Sequence, residues 1–179
     1  MTLVPLLHQG EHESEFAPDQ SDFFLWGGQI PAVEVTSIAE AEKAVGFEIS
    51  LPSRVPADLS FQSIRVAANT RSVYLVMGPS SLVSNAPISL QSIMDGNWVL
   101  IQSPRDLSIE PSDFVDSVVA NMDGRVVATT VNGCPGFIVC PGDVNNHLVW
   151  WNSTLKYELV TPVDATSAQL MDFAESIDA

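Results

Sequence analysis

A chain of 179 residues, 46% hydrophobic and 16% charged, carries enough apolar surface to close one core, which excludes an intrinsically disordered protein. Its 22 acidic residues face seven basic ones, for a formal charge of −15. Lys43, Arg54, Arg65, Arg71, Arg105, Arg125 and Lys156 are scattered rather than clustered, so neither nucleic acid nor an anionic membrane surface is an expected partner.

The charge reads first as solubility, with attraction of basic partners or divalent cations as the sharper alternative. No stretch approaches the roughly 18–20 apolar residues of a membrane-spanning helix. Met1 to Leu7 is apolar but lacks a basic segment and is too short for a signal peptide. Two settings follow: the cytosol, or a chain that begins after a removed signal or anchor.

Residues 1–30 read as an acidic tail or linker, with Glu11, Glu13, Glu15, Asp19 and Asp22 and no Lys or Arg. It ends in Phe23-Phe24-Leu25-Trp26, a cluster costly to leave in water that would dock on the domain or on a partner. Residues 31–179 form the single expected domain. Ser37-Ile38-Ala39-Glu40 has the capping-box pattern of a helix start. Ile38, Ala41 and Val45 share one face, and Gly46 is the left-handed stop, with Phe47 folding back as its apolar contact. Leu51-Pro52 and Val55-Pro56 then keep the chain extended.

Strands are expected at Ser60 to Ala67, Arg71 to Met77 and Trp98 to Gln102, with a tight hairpin at Asn69-Thr70. Gly78 to Asn97 lacks a strong period and reads as loop, with a short helix within it as the alternative. Residues 112–123 have Val115, Val118, Val119 and Met122 at helical spacing, with Ser112 as cap and Gly124 as stop, and read as helix against a β-branched content that favours strand. Arg125 to Val131 is a strand, and Asn132 to Gly136 is dense in turn residues before a return at Phe137 to Cys140. His147 to Trp151 and Leu155 to Val160 pair around Asn152-Ser153-Thr154. Thr166 to Gln169 repeats the capping box, and Leu170, Phe173, Ala174 and Ile177 make the stripe of a helix lying on a sheet. The order of elements predicts an α+β fold, a curved antiparallel sheet packed against an N-terminal and a C-terminal helix.

Ala41 to Phe47 followed by Leu51-Pro52 and Val55-Pro56, then Val131-Asn132-Gly133, Leu148, Trp150, Tyr157, Leu159 and Ala174 to Ile177, span most of the domain. In that order they resemble a bacterial domain-of-unknown-function family. It is found at the extracytoplasmic ends of anti-sigma-factor-like membrane proteins and lipoproteins, and is related in style to lipoprotein-carrier-like sensor domains. Thr154 stands where that family tends to have Gly. The resemblance implies a curved antiparallel sheet on helices and an extracytoplasmic location, and it transfers no catalytic residue.

Each constellation with the residue types of a known chemistry lacks a requirement of that chemistry. His8-Gln9-Gly10-Glu11-His12 spells the inverted zinc-protease motif, which needs both His on one helical face and a third ligand, but Gly10 sits inside it, the segment reads as a tail, and no supporting helix follows. Adventitious metal binding by His8 and His12 is the milder reading. Cys140, Asp143 and His147 contain the types of a thiol nucleophile site without the helix terminus or positive charge that lowers a thiol pKa. Ser153 to Lys156 matches S-x-x-K, but in a β-turn rather than at a helix start. Asn152-Ser153-Thr154 is a glycosylation sequon only in a eukaryotic secretory host. Asp143 to Asn146 lacks the spaced acids of a calcium loop and reads as a turn.

Cys134 and Cys140 are a candidate disulfide only if the chain between them folds back to a Cα separation of about 4.4–6.8 Å. The expected hairpin instead puts Cys134 at the turn and Cys140 out along a strand. Trp150 and Trp151 face opposite sides of their strand, so one is core and the other is covered by a second layer or offered to a partner. The expectation is therefore a non-enzymatic extracytoplasmic interaction or sensor domain, linked to envelope or sporulation regulation. It has no catalytic residue, metal or cofactor, and its contacts are at Trp98, Trp150, Trp151 and Tyr157. The alternative is a lipid- or small-hydrophobe-binding module using the concave sheet face.

Overall fold

The computed structural model describes residues 32–79, 96–122, 124–139 and 145–177. The acidic tail, the His8–His12 motif, the Phe23–Trp26 cluster, most of the Gly78–Asn97 stretch, Cys140 and Asp143 lie outside the described residues. In chain order the elements are β1 (Val33–Val35), α1 (Ile38–Val45), β2 (Leu59–Ala67), β3 (Ser72–Pro79), β4 (Trp98–Pro104), α2 (Pro111–Asn121), β5 (Val126–Val131), β6 (Cys134–Val139), β7 (Asn145–Trp151), β8 (Leu155–Pro162) and α3 (Ser167–Ala174). The fold is α+β. Among the described residues eight strands form one open antiparallel sheet in the order β1-β2-β3-β4-β8-β7-β6-β5.

Strand alternation divides the core. Ile64, Val66, Val73, Leu75, Trp98, Leu100, Leu148, Trp150, Tyr157 and Leu159 line the first face. Ala41 and Val45 of α1, with Leu170, Phe173 and Ala174 of α3, belong to the same cluster. The second face is split. Val115 and Val118 of α2 cover Val126, Phe137, Val149 and Trp151, while Val76, Val99, Ile101 and Val160 form a separate strip.

Both ends of α1 follow from its sequence. Ser37 Oγ accepts the Glu40 amide at 3.2 Å, and Gly46 ends the helix at φ 79°. The carboxylate of Glu40 reaches past the reciprocal box position to the Thr36 amide and hydroxyl, at 2.9 and 3.0 Å. α3 has the complete box, with Gln169 N–H on Thr166 Oγ1 and Thr166 N–H on Gln169 Oε1 at 2.8 Å. α2 forms where helical spacing predicts it, but Ser112 lies inside the helix. Glu110 is the N-cap residue, and Pro111 supplies the first turn because its missing N–H would be unpaired there.

Two turns depart from expectation. Ala67 pairs with Ser72, so residues 68–71 make the β2–β3 connection rather than Asn69-Thr70 alone, and Arg71 takes the left-handed position at φ 51°. Between β5 and β6 the turn is only Asn132-Gly133, at φ 50° and 80°. That is the two-residue geometry matching strand twist, so Cys134, Pro135 and Gly136 continue as strand. Gly136 is needed there because a Cβ would stand 2.5 Å from the Val149 carbonyl oxygen of β7.

Candidate functional site

The four aromatic side chains expected to meet a ligand or partner are all buried. Trp98 is 5% exposed and meets Phe173 edge to face at 5.6 Å between ring centroids. Trp150 and Tyr157 lie directly opposite across β7 and β8 and stack at 5.0 Å with planes 7° apart, both fully buried. Trp151 turns to the second face, 5.5 Å from Phe114 and 5.9 Å from Phe137. Three of the rings thus belong to one layer and the fourth to the other. Cys134 is half-buried at the start of β6.

What the molecule does offer is an open groove of about 710 Å³ beside the buried pair. One wall is residues 47–51, which follow α1, and the other is the β7–β8 turn from Asn152 to Leu155. The first wall is held by Gln102, fully buried in β4. Its Oε1 accepts the Ser50 amide at 3.0 Å and its Nε2 donates to the Ser50 carbonyl at 2.6 Å, so one side chain engages that backbone as a neighbouring strand would. The second wall is an Asx turn. Asn152 Oδ1 accepts from the Thr154 and Leu155 amides at 2.9 and 2.7 Å.

Tyr157 joins the two walls. Its Oη lies 3.2 Å from Ser50 Oγ and accepts from Asn152 Nδ2 at 3.1 Å. Burial raises the phenol pKa more than these hydrogen bonds lower it, so the hydroxyl stays neutral. At the α1 end, Arg71 donates from Nε to the Val45 carbonyl at 2.9 Å, which fixes an exposed guanidinium at the groove. Phe47, Leu51, Pro104 and Leu155 supply apolar lining, with Leu51 45% exposed. The hydrogen-bonded network contains a hydroxyl, a phenol and two amides, and the groove lining adds the exposed Glu48 carboxylate beside the Arg71 guanidinium. The arrangement can bind and orient a segment or small molecule.

A second polar cluster lies on the other face. Glu158 sits between His147, at 3.1 Å from its Nε2, and Lys156, at 2.8 Å from its Nζ. Burial pushes the Glu158 carboxyl up, but the hydrogen bonds and charges of His147 and Lys156 outweigh it and bring the pKa to about 2. Burial, and then the negative Glu158, raise Tyr74. His147 is therefore engaged by a carboxylate of β8, and Lys156 of the S-x-x-K stretch is tied to the same group. Among the described residues no group of three or more His, Cys, Asp or Glu could hold a metal ion, and no helix is long and apolar enough to cross a membrane.

Of the groove residues, only Tyr157 stood out in the sequence as a contact. Gln102 carried a usable signal, a lone amide ending the apolar run Trp98-Val99-Leu100-Ile101. Asn152 was visible as a turn former. Ser50 and Arg71 carried no signal, because their roles depend on pairings far apart in the chain.

No protein-family model matches this chain, and no curated protein and no solved structure matches it.

Proposed function

We propose that this protein is a non-enzymatic extracytoplasmic interaction or sensor domain, linked to envelope or sporulation regulation, and that the groove between residues 47–51 and the Asn152 turn receives its partner. The observation that carries the reading is the groove itself, a recess of about 710 Å³ with a pinned floor, an exposed guanidinium and an apolar rim. Its hydroxyls are bonded to each other and to an amide, which favours recognition over chemistry. Extracytoplasmic placement rests on the family resemblance. So does the finer picture of a curved sheet working between its first and last helices, with the core residues of α1 and α3 in its favour. A lipid-binding concave face would draw on Trp98, Trp150 and Trp151, and these rings are at most 6% exposed.

The test replaces the chromosomal gene with one encoding Ser50→Trp, which fills the groove from its wall. Envelope-stress and sporulation reporters should lose their response while protein level and circular dichroism stay unchanged. Intact cells treated with protease should lose the protein. Unaltered reporters with the groove filled, or full protection from external protease, would contradict the reading.

A further inference from the structure

The open sheet has two ends, and they are built differently. β1 is three residues long and carries Glu34, two of the usual defences of an edge strand. β5 has neither. It is Val126-Val127-Ala128-Thr129-Thr130-Val131, six residues without a charge or a proline, in a chain of net charge −15. Val127 is 51% exposed, and Ala128 and Thr130 are exposed as well.

The register tells which backbone groups of β5 point outward. Val131 and Cys134 close a two-residue turn and so exchange both hydrogen bonds. Bonded pairs then alternate along the ladder, which directs Thr129 and Val127 at Gly136 and Ile138. Val126, Ala128 and Thr130 therefore present N–H and C=O away from the sheet. Pro135 agrees with this phase, since it stands opposite Thr130 where β5 asks for no N–H.

We propose that β5 is a self-association edge: two copies of this chain pair their β5 strands antiparallel about a two-fold axis at Ala128, joining two sheets into one. A two-fold perpendicular to the sheet keeps each face continuous only when opposed residues share a face. Centring on Ala128 satisfies this, opposing Val126 to Thr130 and Val127 to Thr129. All the outward groups then pair, in about six backbone hydrogen bonds. The occupant is a second copy because the edge is complementary to itself. In so acidic a protein, an uncharged strand is where two copies approach with no like charges opposed. The pairing is independent of the groove.

Sedimentation velocity of the full chain, over a micromolar to millimolar series, should show a species of twice the 19.3 kDa chain mass. Ala128→Lys places like charges across the axis and should raise the dissociation constant about tenfold or more. Ala128→Glu should do the same, and mixing the two variants should restore the dimer as a heterodimer. A monomer throughout the series, wild-type association by A128K, or no recovery on mixing would overturn the proposal. If circular dichroism shows that A128K loses its fold, Thr130→Lys, which puts a charge opposite the apolar Val126, is measured in its place, and its association with the wild-type dissociation constant would overturn the proposal.

Discussion

At Glu158, burial and pairing pull in opposite directions, and the pairing wins. The carboxyl is held at about 2, below its ordinary 4.5, with 18% of the side chain exposed. A depressed carboxylate stabilises the fold above its unfolded pKa, and that stabilisation is lost as pH falls from about 5 through 2. The shift corresponds to a contribution on the order of 3 kcal/mol at neutral pH. Glu158→Gln should lower unfolding free energy by roughly 2–3 kcal/mol at pH 7 and by much less near pH 2. Urea titrations at the two pH values check this, and an equal loss at both would place the effect in packing instead. Asn152 is the matching case at the groove. Asn152→Ala removes an Asx turn and a donor to Tyr157, an expected loss of about 1–2 kcal/mol in the same titration.

Among the elements, those specified by neighbouring residues were the most legible. The caps of α1 and α3 and the hairpin around Asn152 need only residues a few positions apart, and each forms where its pattern lies, except that Glu40 bonds Thr36 rather than closing the α1 box on Ser37. The strand ends were less legible because turn residues do not announce which of them turn. Asn132 to Gly136 looks like one long turn, yet Asn132-Gly133 suffices, and Gly136 is a strand residue chosen for its closeness to β7. Gly136→Ala should therefore cost about 1–3 kcal/mol by overpacking, measured as a shift in urea midpoint with unchanged slope. The 47–51 wall is held by side chains of other elements, Gln102 and Tyr157 at Ser50 and Glu42 at the Ile49 amide. Gln102→Leu strips both partners from the Ser50 backbone, so the Ser50 amide should exchange with solvent far faster while β4 amides remain protected. Continued protection of Ser50 in that variant would mean that another contact holds the wall.

For the molecule as a whole, the α+β class and the antiparallel sheet follow from strand alternation and short turns, both local signals. The strand order does not. β8 lies between β4 and β7, and the groove exists only because that order brings residue 50 to Tyr157, 107 positions away. The tryptophans drew attention by size, and size is also why the core took them. On the proposed reading the groove, rather than those rings, meets the partner. The most direct measurement places a photo-crosslinking amino acid at Leu51, 45% exposed on the groove rim, and at Val163, 47% exposed beyond the end of β8 opposite to the groove, in the native host. A discrete protein adduct is expected from position 51 and not from position 163, and it should be lost when Ser50→Trp is added. Equal labelling at both positions, or an adduct that survives the filled groove, would contradict it.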